Sequence, residues 1–157
     1  MLDLAADECD ATVFERLAAA GGAALGEGRP DEAVDRLVPA LALWRGPVLA
    51  GLDRADWLVP AAARLEEARL TAIEDHVQAR LLLGQVHGLA AELTDATARY
   101  PLRERLWGQL MLALHRSGRS AEALAAYGRL ADLLDRELGA RPGPAIQHLH
   151  RGIRADA

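Results

Sequence analysis

The stretch that decides the fold is LWGQLMLALHRSGRSAEALAAYGRLADLLDRELGARPGPAIQHLHRGI, residues 106–153. Its apolar residues recur at the spacing of α-helices, and two stops that contain Gly or Pro divide it into three segments. Trp107, Ala123 and Tyr127 follow the alternation of large and small residues that is typical of a tetratricopeptide-type helical hairpin. Such hairpins stack into protein-binding scaffolds, so we predict an all-α interaction domain.

Outward from this stretch, the same criteria predict about seven helices and no sheet. Asp10, Asp56 and Ser120 are candidate N-caps, and residues 1–10 are expected to be extended or irregular. Pro39 removes one backbone hydrogen bond, which predicts a kink or a split in its helix. The predicted helices cover about 11–26, 30–44, 56–83, 86–99, 102–117, 120–138 and 144–155.

An internal repeat supports the hairpin interpretation. The pattern Gly-Arg-x-x-Glu-Ala occurs at residues 28–33 and again at 118–123. Gly84 precedes Gly118 by 34 residues, which is the tetratricopeptide period. We therefore predict tetratricopeptide-like antiparallel hairpins in a right-handed helical array. The middle repeat is degenerate, because His76 and Arg80 stand where apolar residues are expected.

Composition narrows the class of protein. Hydrophobic residues make up 51% of the chain but aromatic residues only 4%, so the core must consist of aliphatic side chains, which suits close-packed helices. The net charge of −5 argues against duplex DNA binding by this chain, because that affinity depends on neutralising phosphates. The single cysteine, Cys9, fits a reducing cytoplasm, and no apolar run reaches the roughly 20 residues that cross a bilayer.

The sequence contains no arrangement of residues that is typical of an enzyme. His148 and His150 are two residues apart, which places them on different sides of a helix and makes them a poor metal pair. Cys9 lies among acidic residues that disfavour a thiolate. We find no phosphate-binding glycine loop and no nucleophile elbow. The prediction is therefore no catalytic residue, no cofactor and no metal.

Tryptophan and arginine residues are the candidates for partner contacts, because both types are enriched in binding hot spots. One group flanks a predicted loop at 46–54, and the other is clustered in sequence around the last hairpin. The alternative is that the tryptophans fill gaps between hairpins and the arginines are solvated. The candidates are Trp44, Arg45, Trp57, Arg99, Arg103, Arg105, Arg116 and Arg119.

Four strings in order resemble one family. They are LALWRGPVLAGL (41–52), ARLEEARLTAIED (63–75), YPLRERLWGQLMLALHRSGRSAEALAAY (100–127) and LDRELGARPGPAIQHLHRGI (134–153). Together they are similar to the bacterial transcriptional activator domain of the Streptomyces antibiotic regulatory protein family. The resemblance assigns residues 11–155 to this domain and leaves 1–10 as the remnant of a preceding domain or linker.

The resemblance implies a function. In that family an upstream winged-helix domain contacts DNA, and none of its DNA-contacting residues has a counterpart here. We therefore expect a non-catalytic domain that binds RNA polymerase holoenzyme or its sigma factor, forms a possible homodimer, and contacts neither DNA directly nor a membrane. Two alternatives remain open: a free-standing tetratricopeptide-like adaptor, and a small-molecule-sensing regulatory module.

Overall fold

A computed structural model describes residues 4–45 and 59–157 of the chain. This part contains seven α-helices and one short 3₁₀ helix, joined by turns. This part contains no strand, so the all-α prediction is confirmed. None of its helices is long and apolar enough to span a bilayer. The helices are α1 (Leu4–Gly26), α2 (Pro30–Ala42), α3 (Val59–Leu82), α4 (Leu89–Arg99), α5 (Glu104–Arg116), α6 (Ser120–Leu138) and α7 (Pro144–Asp156), with the 3₁₀ turn at Leu43–Arg45.

Three sequence predictions are wrong at the helix starts. The first helix begins at Leu4 rather than after Asp10, because the intervening residues include the strong helix formers Ala5 and Ala6. The fourth begins at Leu89, because Gly88 takes a left-handed conformation with φ of 71°. Ser120 is the first residue of α6 rather than its cap, and no side chain caps that helix. The candidate cap Asp56 lies outside the described residues.

Of the kink or split predicted at Pro39, the split is wrong, because α2 is one continuous helix from Pro30 to Ala42. Proline costs this helix a single hydrogen bond close to its C-terminal end. The inner face of α2 compensates, since Ala33, Leu37 and Ala40 are all fully buried. Burial of that face holds the helix together across the proline.

The repeated motif forms the same turn twice. Gly28 and Gly118 have φ of 75° and 76°, a left-handed conformation that glycine adopts without steric cost. The amide after each glycine donates to a carbonyl five residues back, Arg29 to Ala24 at 2.9 Å and Arg119 to Leu114 at 2.9 Å. This pattern is a Schellman helix end, and it closes the α1–α2 and α5–α6 hairpins in the same way.

The helices divide into two compact units, Met1–Leu83 and Gly84–Ala157. In the first unit, α1 packs against both α2 and α3, and α2 packs against α3. Phe14 is fully buried among small residues that include Ala24, Ala72 and Ala79. These alanines allow the three helices to approach closely.

In the second unit each helix packs on the next, and α7 also packs on α5. The predicted hairpin is present: α5 and α6 pack against each other, Ala123 is fully buried, and Trp107 is buried as well. Gly108 provides the contact with α7, because a Cβ atom at this position would lie 2.8 Å from Ile146 Cδ1. The remaining core is aliphatic, as the composition predicted.

Gly21 tests how tightly the first hairpin is packed. A Cβ atom there would lie 2.5 Å from Leu37 Cγ, and Leu37 is fully buried. Gly21→Ala is therefore expected to lower the free energy of unfolding by about 1–3 kcal/mol through overpacking. Gly26→Ala is the matched control in the same helix, because a Cβ there meets nothing within 4 Å. Equal urea midpoints for the two variants would contradict this packing.

Candidate protein-interaction surface

Trp44 lies against the core of the first unit. Its ring centroid is 5.3 Å from that of Phe14 in an edge-to-face arrangement, and the Arg69 guanidinium lies 5.0 Å from the indole centroid. Both contacts are favourable for an aromatic ring. The indole Nε1 is buried without a hydrogen-bond partner among the described residues. These contacts favour the interpretation that Trp44 fills a gap between helices.

The structure does not test two of the residues that we predicted to contact a partner, Arg45 and Trp57. Arg45 ends the 3₁₀ turn, but its side chain is outside the described set. Trp57 falls between the two described segments. Their role as partner contacts stays a prediction.

The second unit places three of the candidate arginines at one end. Arg99 closes α4, Arg103 is the N-cap residue of α5, and Arg105 lies in the first turn of α5. Arg99 and Arg105 are exposed, and so is Leu102 between them, at 48%. We call these four residues, Arg99, Leu102, Arg103 and Arg105, the α4–α5 surface.

Backbone and side-chain hydrogen bonds hold this surface in place. The Trp107 indole donates a hydrogen bond to the Pro101 carbonyl at 2.8 Å, and this bond ties the connection between α4 and α5 to a buried residue of α5. The Gly143 amide donates to Glu104 Oε2 at 2.7 Å, which ties the start of α5 to the start of α7. A partner would therefore meet a surface whose backbone is already ordered.

Arg116 and Arg119 lie at the opposite end of α5. Arg116 follows Arg105 by eleven positions along the helix, which is a rise of about 16 Å. Arg119 binds Glu122 through two hydrogen bonds of 2.7 and 2.6 Å, and this pairing lowers the pKa of Glu122. Arg29 pairs with Glu32 at the equivalent turn of the first unit. The arginine cluster seen in sequence is therefore two groups in space, and Arg119 has a local role at its turn.

The histidines form contacts that the sequence did not reveal. His150 stacks on Tyr127, with ring centroids 3.8 Å apart and planes 12° apart. His115 Nδ1 is 2.8 Å from Ser120 Oγ, which links the two ends of the α5–α6 turn. Among the side chains described, at residues 10–44 and 60–157, no three His, Cys, Asp or Glu residues are grouped to hold a metal ion.

The sequence reasoning also missed a pocket on the second unit, between α6, the α6–α7 connection and the start of α7. It has a volume of 410 Å³. The available signal in the sequence is the spacing of three between Asp132 and Asp135, which places them on one face of a helix. The position of the α6–α7 connection against them was not deducible from spacing alone.

Comparison with known proteins identifies related chains. The family model of the bacterial transcriptional activator domain matches residues 9–154. The regulatory protein DnrI of Streptomyces peucetius is 43% identical over 157 residues, which cover 99% of this chain and 58% of that protein. The regulatory protein AfsR of Streptomyces coelicolor is 43% identical over 150 residues, which cover 96% of this chain and 15% of that protein.

A solved structure agrees with these matches. The Mycobacterium tuberculosis protein EmbR, in complex with a low-affinity phosphopeptide, superposes with a TM-score of 0.85 at 35% sequence identity. The matched region covers 94% of this chain and 39% of that one. The chain therefore spans between about one seventh and three fifths of the length of these relatives.

The stacked ring of His150 predicts a pH dependence. Burial, together with the positive charge of Arg154, lowers the pKa of His150 below its ordinary value of 6.5. Between the lowered pKa and 6.5, His150 therefore binds a proton in the unfolded chain but not in the folded chain. The free energy of unfolding should rise with pH between the lowered pKa and 6.5, and this contribution should be lost as the pH falls through the lowered pKa.

Urea unfolding across this pH range, with an NMR titration of the imidazole signals, checks the prediction. His150→Phe should keep the stack and abolish this part of the pH dependence. His148→Gln is the control, because His148 is exposed on the same helix. Titration of His150 at or above the ordinary value would contradict the assignment.

Proposed function

This chain belongs to the bacterial transcriptional activator domain family, and on that premise we propose its function. It is the non-catalytic domain through which an activator dimerises and binds other proteins. Its partner is RNA polymerase or the sigma factor of the polymerase. The recognition of the Streptomyces antibiotic regulatory protein family from the sequence is confirmed. The relatives are regulatory proteins, a non-enzymatic family, so the prediction of no enzyme is confirmed as well.

The α4–α5 surface is the observation that supports a polymerase contact. It combines three guanidinium groups with the exposed side chain of Leu102, and arginine is one of the residue types that are enriched in interface hot spots. The second half of the chain carries a charge of +2, whereas residues 1–80 carry −7. An acidic surface on the partner would be attracted to the second half of the chain more strongly than to the first.

The net charge of the whole chain supports a protein partner rather than DNA. At −5 it opposes association with a polyanion, and binding to duplex DNA depends on neutralising phosphates. We propose that residues 11–155 form the interaction domain, and that DNA is contacted by an upstream winged-helix domain of the full regulator. Cytoplasmic localisation follows from that role.

Charge reversal tests the polymerase contact. The double variant Arg99→Glu/Arg105→Glu should weaken binding to purified RNA polymerase holoenzyme by about tenfold or more, because an interfacial attraction becomes a repulsion. The salt dependence of binding should fall at the same time. Surface plasmon resonance at two ionic strengths measures both effects.

Arg36→Glu/Arg151→Glu is the matched control, because it reverses the same number of exposed arginines elsewhere. Circular dichroism establishes that all variants are folded. Unchanged holoenzyme binding by Arg99→Glu/Arg105→Glu would exclude the α4–α5 surface. Tight, salt-sensitive binding of the parent chain to duplex DNA would contradict the proposed function itself.

A further inference from the structure

The pocket beside α6 is built from one aromatic ring, three small or rigid apolar residues and four polar ones. Its volume of 410 Å³ lies within the range of about 300–1,000 Å³ that holds small ligands or side chains. Nothing in the proposed function uses it. The lining residues are Tyr127, Ala131, Asp132, Asp135, Ala140, Arg141, Pro142 and Gln147.

Two carboxylates dominate the polar part of the lining. Asp132 and Asp135 are three residues apart on α6, which places them on one face with Cβ atoms about 5–6 Å apart. Both side chains are exposed, and neither carboxylate has a hydrogen bond or an ion pair with the described part of the chain. The pocket therefore offers two carboxylates, which accept hydrogen bonds, on one face of α6.

The walls of the pocket are held by one hydrogen bond between two lining residues and by two contacts with residues outside the lining. Gln147 Nε2 donates to the Pro142 carbonyl at 2.7 Å, and the Ala140 amide donates to the Leu134 carbonyl at 3.2 Å. The stack on His150 fixes the ring of Tyr127. A ligand would enter a preformed site, so it would not have to order the connection between the two helices.

We propose that this pocket binds the guanidinium group of an arginine side chain presented by a partner polypeptide. A planar guanidinium has five N–H donors and no acceptor, so it can bridge two carboxylates, whereas an ammonium is a point charge. Ala131, Ala140 and Pro142 supply an apolar wall for the aliphatic stem of that side chain. Because Asp132, Asp135 and Gln147 are exposed, the pocket is open to solvent and the partner's backbone can pass across the opening.

Arg141 lowers the affinity of this site for a cation. It contributes the one positive charge of the lining, and like charges repel an incoming guanidinium. Its removal should therefore strengthen binding, while removal of the two carboxylates should abolish it. The opposite signs of these two effects distinguish a charge-selective pocket from a general apolar depression.

The test is an NMR titration of the full chain with acetyl-Gly-Arg-Gly-amide. The expected result is saturable shifts of backbone amides at residues 127–147. The same peptide with citrulline in place of arginine keeps the shape and loses the charge, and it should bind at least about tenfold more weakly, because hydrogen bonds between two charged groups are stronger than those to a neutral donor. Spermidine tests a free amine, and binding of spermidine in the pocket as tight as that of the arginine peptide would overturn the guanidinium assignment.

Asp132→Asn/Asp135→Asn should abolish the shifts, and Arg141→Ala should increase the affinity. Asp95→Asn/Glu137→Gln removes two exposed acids of the same unit outside the pocket and should bind as the parent does. No saturable binding by the parent, equal binding by the citrulline peptide, or retained binding by the Asp132/Asp135 double variant would each overturn the proposal. The titration contains no polymerase, so its outcome is independent of the proposed function.

Discussion

Both units depend on the close approach of two helices joined by a left-handed glycine. Gly28 and Gly118 end α1 and α5 in the same conformation, and five residues later Ala33 and Ala123 are fully buried. The glycine sets the direction in which the second helix returns, and the alanine sets how near it comes. The arginine after each glycine adds an ion pair with the glutamate three residues on. This pairing is exposed, so its contribution to stability is small compared with that of the buried contact.

Once the α5–α6 hairpin is closed, the remaining features of the second unit have fixed positions. The start of α5 then lies beside the end of α6, and the Gly143 to Glu104 hydrogen bond places α7 against them. The same end carries the α4–α5 surface. The side of α6 that faces the α6–α7 connection forms the pocket with Asp132 and Asp135. The two proposed sites, which would prefer partners of opposite charge, thus depend on one helical hairpin.

The sequence was sufficient for features that depend on local spacing. The existence of the seven helices in the described part of the chain, the buried role of Ala123 and the Gly118 stop followed from periodicity and turn chemistry. Helix starts were less predictable: a glycine can lie within a helix or take a left-handed conformation, and its residue type alone does not tell that Gly88 takes the second. The continuity of α2 through Pro39 depends on burial of its inner face, which is a tertiary effect.

The candidate sites could not be predicted from the sequence, because they depend on which residues of different helices lie close together in space. Five arginines near one another in sequence separate into two groups because α5 lies between them. Conversely, Tyr127 and His150 are distant in sequence and stacked in space. Trp44 was a candidate contact residue, and the structure gives it Phe14 and Arg69 as neighbours. Periodicity does not predict such contacts between helices. It indicates which residues share one face of a helix, but not which residues of another helix pack against that face.

The most direct test of the central role of the turn compares Gly118→Ala with Gly128→Ala by urea unfolding. Neither position has an atom within 4 Å of an added Cβ, so only backbone conformation distinguishes them. Gly118→Ala should lower the free energy of unfolding by about 1–2 kcal/mol, because its φ is positive. Gly128→Ala, within α6, should raise it by about 0.5–1 kcal/mol. A neutral or stabilising Gly118→Ala would contradict the account.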